Sequence, residues 1–214
     1  NDSDLIKGLL YSEGIISSKS DIIEIIDNID NNKVILSKNV QFNPQDHNRK
    51  LTMTSSCGIC GKESISNLIH LHGPELSDSI HINLNIIANA LSALQNGQNF
   101  FSSTGGTHAC ARVDISGSLI SIAEDIGRHN AMDKLIGDAL KNDNLPIKEE
   151  IVVISGRASF ELVQKSLRAG FPIMIAIGAP SSLAIDLATE HGMTLIGFAK
   201  KNKITIFSGS KRIR

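Results

Sequence analysis

A chain of 214 residues with 21 Lys and Arg against 22 Asp and Glu has a formal net charge of −1. It is long enough to bury a sizeable core, as one large domain or two small ones. Balanced charge offers no field for nucleic acid or an acidic membrane, and no apolar stretch nears the length of a membrane span, so neither is expected as a partner.

Three cysteines, an odd number, suit a reducing compartment better than a disulfide scaffold, and no signal-peptide pattern opens the chain. A cytoplasmic globular protein is the expectation. The first residue is Asn1 rather than Met, and a leading piece is expected to be missing.

In chain order, Asp4 to Tyr11 spaces its apolar residues as a helix does, with Gly14 as a C-cap. Asp21–Asp27 and Lys33–Leu36 are β-branched runs on either side of an Asp/Asn-rich turn, a predicted hairpin. The polar run from Asn43 to Lys50 reads as a loop and leads into Ser56-Cys57-Gly58-Ile59-Cys60-Gly61-Lys62. A second helix is predicted over Ile86 to Leu94, with Ile86, Ile87, Ala90, Leu91 and Leu94 on one face. Val113–Ile115 and Leu119–Ile122 flank Ser116-Gly117-Ser118 as another hairpin, and Asn130 to Leu140 is amphipathic.

Beyond this point apolar strands alternate with helices: strand Ile151–Ile154, helix Ser159–Ala169, strand Ile173–Ile177, helix Ser181–His191, strand Thr194–Phe198, strand Lys203–Phe207. Fully apolar strands between helices imply a sheet covered on both faces, a three-layer α/β/α domain. The expected division is a small N-terminal α+β region, 1–75, ending in the cysteine loop, and the α/β/α domain, 76–214.

Cys57 and Cys60 are spaced so that both thiols reach one site, and each is followed by a glycine that leaves little bulk around the sulfur. A dithiol on a polar loop is placed for chemistry with an outside partner. Lys62, Arg49 and Lys50 are near enough in sequence to favour a thiolate. Cys110, between two alanines, reads as a small core residue. His108 with the two thiols raises the question of zinc, since zinc deaminases use His and two Cys. Here Cys110 stands where the general acid/base glutamate would be, and the Cys-x-x-Cys precedes the histidine. No zinc is expected.

Two strand-to-helix turns, Ser155-Gly156-Arg157-Ala158-Ser159 and Gly178-Ala179-Pro180-Ser181-Ser182, lie at the carboxyl ends of their strands, the usual ligand edge of an α/β sheet. Free amides at a helix start favour anions, and Arg157 adds a fork suited to phosphate. The plain alternative is that the serines cap helices and the glycines turn the chain. Glu124–Asn130 is denser in polar side chains than a helix entry needs, and Arg128 and His129 are candidates for phosphate or base contacts, or for a structural ion pair. Phe198-Ala199-Lys200-Lys201-Asn202-Lys203 turns between two strands and could clamp a polyanion, whereas the tail from Lys211 onward reads as solvated.

Taken together, Cys57-Gly-Ile-Cys60-Gly, Thr104-Gly-Gly-Thr-His108-Ala, Glu124-Asp-Ile-Gly-Arg-His-Asn-Ala-Met-Asp133-Lys, Ser155-Gly-Arg-Ala-Ser-Phe-Glu161 and Gly178-Ala-Pro-Ser-Ser-Leu183-Ala resemble, in this order, the FdhD family of formate dehydrogenase accessory sulfurtransferases. The resemblance runs from Asp4 to about Phe207. It implies a cytidine-deaminase-like α/β/α domain without the zinc chemistry, joined to a smaller N-terminal domain. It also implies a sulfur carrier between a cysteine desulfurase and the molybdenum cofactor of formate dehydrogenase, a bis-molybdopterin guanine dinucleotide, working as a homodimer. Cys57, or Cys60, would then be the persulfide carrier. Ser155, Gly156, Arg157, Ser181, His108, Arg128, His129 and the 198–203 segment would hold the cofactor. A chaperone that only binds the cofactor and a thiol–disulfide oxidoreductase are the alternative readings.

Overall fold

The computed structural model describes residues 2–27, 32–43 and 73–214. The dithiol Cys57 and Cys60, the loop before it and the turn of the first hairpin lie outside the described residues.

Helix α1 spans Asp2–Ser12, and Gly14 past its end takes φ +74, where its amide and that of Ile15 return to the Tyr11 and Leu10 carbonyls. Strands β1 (Ile22–Asp27) and β2 (Asn32–Leu36) form the predicted antiparallel pair. Helix α2 runs over Leu84–Gly97, capped by the Asn83 side chain, which accepts from the Asn85 and Ile86 amides. A short helix, α3 (Asn99–Thr104), follows at once and was not predicted.

Among the described residues, six strands form one mixed sheet in the order β4-β3-β5-β6-β7-β8. They are β3 (His108–Val113), β4 (Leu119–Asp125), β5 (Ile151–Ile154), β6 (Ile173–Ala176), β7 (Thr194–Lys200) and β8 (Lys203–Ser208). The trio β5, β6, β7 is parallel, and β3 and β8 run antiparallel on its two sides. The ends of β4, β5, β6 and β7 therefore share one edge with the starts of β3 and β8. Connecting helices are α4 (Arg128–Lys141), α5 (Phe160–Ala169) and α6 (Ser182–Glu190).

Alternation along the strands divides the core. Cys110, Val152, Ile154, Met174, Ala176 and Leu195 face α4, α5 and α6, whereas Ala109, Ala111, Ile151, Val153, Ile173, Ile175 and Ile196 face α2. Helices thus lie on both faces of the sheet. Tyr11 and Ile16 belong to the first cluster, so α1 and the residues after it share the core of the larger unit. A Cβ on Gly8 would lie 1.7 Å from the Asp133 carbonyl oxygen, and one on Gly137 1.9 Å from that of Asp4. Only two glycines let α1 and α4 cross this closely. Below the crossing, Lys165 donates to both Asp133 carboxylate oxygens at 2.7 and 2.8 Å. Burial pushes the Asp133 carboxyl up, against the pull of the Lys165 ammonium.

Three expectations are corrected. The strand expected over Val113–Ile115 ends at Val113, because the Asp114 carboxylate accepts from the Ser116 and Ser118 amides and turns the chain there. The Phe198–Lys203 segment is not all loop: β7 continues to Lys200, which pairs with Lys203 across a turn of Lys201 and Asn202. The tail is not a solvated one. Arg212 is 1% exposed and donates to the Ser77 and Gly192 carbonyls and to Asp78, while the Ile82 amide donates to the Arg212 carbonyl and the Arg214 amide to the Ile82 carbonyl.

Candidate functional site

At the shared edge, the turns after β5 and β6 are zipped together through their backbones. The Gly178 amide donates to the Gly156 carbonyl at 2.9 Å, Ala158 to Ala179 at 3.2 Å, Ser181 to Ala158 at 3.0 Å, and Phe198 on β7 to Gly178 at 3.1 Å. A Cβ on Gly178 would lie 2.8 Å from the Gly156 oxygen, so this approach needs glycine. The helix starts that follow are capped by side chains. Ser159 and Ser181 each turn the side-chain oxygen onto an amide of their own helix, those of Leu162 and Ala184. These serines act as caps, each taking up one amide of its own helix start.

The opposite wall is built by α3 and the Gly105-Gly106-Thr107 segment. Glu124, at the end of β4, accepts from the Phe100 and Phe101 amides at 2.9 and 2.8 Å and from the Thr107 hydroxyl at 2.9 Å. Burial raises the Glu124 carboxyl, but the amides and hydroxyl outweigh it and hold the carboxyl below its usual range. Its neighbour Asp125 accepts from the Gly127 amide and from Lys134, at 2.8 and 2.6 Å. The polar density read from Glu124 to Asn130 is therefore largely internal wiring.

Between the walls lies a cleft of about 910 Å3, lined by Leu91, Gln95, Gln98, Phe101, Ser102, Gly105, Gly106, Thr107, His108, Ser155, Ile177, Ala199, Lys200 and Lys201. The structure brings together His108, Ser155, Ala199, Lys200 and Lys201 of the expected residues. His108 opens β3, and Ser155 is held against it, its hydroxyl accepting from the Ala109 amide at 2.9 Å. Gly156 backs His108, whose Nδ1 lies 3.4 Å from where a Cβ on that glycine would be.

Other expected residues sit beside the cleft rather than in its lining. Exposed Arg157 lies over Gly178. His129 points to Ser159 Oγ at 3.2 Å and Glu161 at 3.7 Å, and Arg128, half-buried, opens α4. Phe198 has φ +51, a left-handed backbone rare for a bulky residue, and its ring, half exposed, packs on Phe207 with centroids 6.1 Å apart. Asn202 and Lys203 are exposed at the rim. Sequence reasoning missed Gln95, Gln98 and the α3 wall. Their only signal was the Asn-Phe-Phe-Ser-Ser-Thr run, too short and too polar to announce a helix.

Cys110 is buried, with its sulfur 4.0 Å from the Arg128 carbonyl. Burial and then the Asp133 carboxylate push its thiol far above the usual range, which makes it an inert core residue, as expected from its alanine neighbours. Among the described residues, His, Cys, Asp and Glu form no group of three able to hold a metal ion, and no helix is long and apolar enough to cross a membrane.

Fold and edge together define an α/β protein with a partly cationic cleft at the carboxyl ends of a parallel strand trio. The chain belongs to the FdhD/NarQ family, whose model matches residues 1–214. It is 37% identical over 221 residues to the sulfur carrier protein FdhD of Nocardia farcinica, covering 100% of this chain and 79% of that one. For the proteins of the same name from Saccharolobus solfataricus and Thermoplasma acidophilum, identity is 38% over 213 residues and 40% over 217 residues. These alignments span 100% and 98% of this chain, and 80% and 74% of the relatives. A crystal structure described as a formate dehydrogenase accessory protein from Desulfotalea psychrophila superposes with a TM-score of 0.78 at 23% identity, covering 99% of this chain and 80% of that one. At that identity the likeness concerns the fold.

Proposed function

We propose that this protein is a sulfur carrier that serves formate dehydrogenase maturation. It takes persulfide sulfur from a cysteine desulfurase and delivers it to the molybdenum of a bis-molybdopterin guanine dinucleotide seated at the cleft, on a cytidine-deaminase-like scaffold working as a homodimer. The observation that carries the reading is the family match over the whole chain together with the Cys57/Cys60 pair. The cleft adds support. About 910 Å3 suits a nucleotide-sized arm of such a substrate, and Lys200 and Lys201 suit its phosphates.

In this mechanism the Cys57 thiolate attacks the terminal sulfur of the desulfurase persulfide. One S–S bond forms as another breaks, the desulfurase cysteine leaves as thiolate, and no electrons are exchanged overall. Once the substrate is engaged, Cys60 attacks Cys57 Sγ. A Cys57–Cys60 disulfide forms and the carried sulfur leaves as hydrosulfide, its two electrons supplied by the dithiol. That hydrosulfide is the ligand passed to the substrate, and a dithiol reductant restores the pair.

Intact-protein mass after incubation with an active cysteine desulfurase and cysteine tests the relay. Wild type and Cys60→Ser should gain one reducible sulfur and Cys57→Ser none. No gain in any form would overturn sulfur carriage and leave a cofactor-binding chaperone. A reducible gain retained by Cys57→Ser and lost in Cys60→Ser would move the carrier to Cys60.

A further inference from the structure

Gln98 stands between α2, which ends at Gly97, and α3, which begins at Asn99. A residue at this N-terminal cap position normally turns a side-chain oxygen onto the second or third amide of the helix. Here those amides, of Phe100 and Phe101, are taken by the Glu124 carboxylate, and the Gln98 side chain makes no cap hydrogen bond. The Gln98 carbonyl is occupied by the Ser102 amide and hydroxyl, at 3.2 and 2.7 Å. Its carboxamide is left over.

The residue is only 7% exposed, it lines the cleft, and the carboxamide has no hydrogen-bond partner among the described residues. Its amide atoms are not among those sealed from solvent, and the residue lines the cleft. An unpaired amide so far buried is costly unless something entering the cleft pairs with it. Gln95, one turn earlier on α2, adds a second carboxamide to the same wall, while Lys200 and Lys201 lie on the wall formed by β7 and its turn. No acidic side chain lines the cleft among the described residues.

The two walls suit two chemistries. Ammonium groups suit phosphate, which offers only acceptors. A carboxamide offers a donor and an acceptor side by side, and it is matched by a lactam edge, an N–H next to a C=O, as in guanine. We propose that Gln98 is a specificity-determining residue whose carboxamide pairs with the lactam edge of a guanine base while Lys200 and Lys201 take the phosphates. The inference rests on the reading that a guanine dinucleotide occupies this cleft.

Calorimetric titration of the full chain with guanosine diphosphate and, separately, inorganic pyrophosphate tests it, in wild type, Gln98→Met and Lys201→Ala. Gln98→Met should weaken guanosine diphosphate binding about tenfold or more, leave pyrophosphate binding unchanged, and leave thermal stability equal or higher. Lys201→Ala should weaken both ligands together. If Gln98→Met fails to fold, Gln98→Leu, which removes the carboxamide without adding charge, should show the same selective loss. Unchanged guanosine diphosphate binding in the Gln98 variant, or a parallel loss of pyrophosphate, overturns the assignment alone. The same holds if wild type binds guanosine diphosphate no more tightly than pyrophosphate. Wild type that binds neither removes the cofactor-cleft reading as well.

Discussion

Glu124 holds one wall of the cleft through three donors, and protonation would weaken all three. Its carboxyl titrates below the ordinary glutamate value of 4.5 because the amides and the Thr107 hydroxyl favour the charged form more than burial opposes it. The unfolded chain therefore binds this proton more readily than the folded one. The stabilisation is complete above about 4.5 and is lost as pH falls through the lower folded value. Glu124→Gln should flatten this part of the acid limb in urea midpoints measured from neutral to acid pH, and should weaken guanosine diphosphate binding at neutral pH. An acid limb identical to wild type would mean that α3 is held by other contacts. The Glu124–Asn130 cluster was conspicuous in the sequence, but its target was not. The amides it caps lie more than twenty residues earlier and only the folded sheet brings them near.

Elements whose signal is carried by their own side chains were legible. The strands β5 and β6 are continuous β-branched or apolar runs buried on both faces, and α4 shows its buried stripe of Ala131, Met132, Leu135, Ile136 and Ala139 directly. Elements settled by a distant or local polar contact were not. Helix α3 depends on Glu124, the end of β3 on the Asp114 turn, and the extension of β7 on pairing with β8 beyond the Phe198 irregularity. The α1–α4 crossing gives a test at this scale. Helix propensity alone would make Gly137→Ala stabilising by about 1 kcal/mol. The methyl group would strike the Asp4 carbonyl, so a net loss of roughly 1–3 kcal/mol or more is expected in urea denaturation. A gain would show that α1 can shift at no cost.

At the scale of the whole molecule, residues far apart in sequence close the structure on itself. The tail returns to the segment before α2, and Arg212 spans the Ser77 and Gly192 carbonyls from a fully buried position. Arg212→Met removes those donors and should cost about 1–3 kcal/mol, together with faster proteolysis of the tail. Wild-type protease resistance in the variant would show the strap to be dispensable. The basic composition of this tail suggested solvent, because no local pattern says that two carbonyls await a guanidinium. Likewise the edge that carries the Ser155 turn was legible from strand polarity, whereas the place of His108 on it and the opposite wall were not. The N-terminal helix shows the same long reach. Arg168 donates to the Tyr11 and Ile16 carbonyls and lies over the Tyr11 ring, and α4, which receives the crossing at Gly137, is also made late. On a ribosome, which emits the chain from its amino end, α1 has to wait for partners more than a hundred residues behind it. It is made well before the residues that hold it and finds its place only after them.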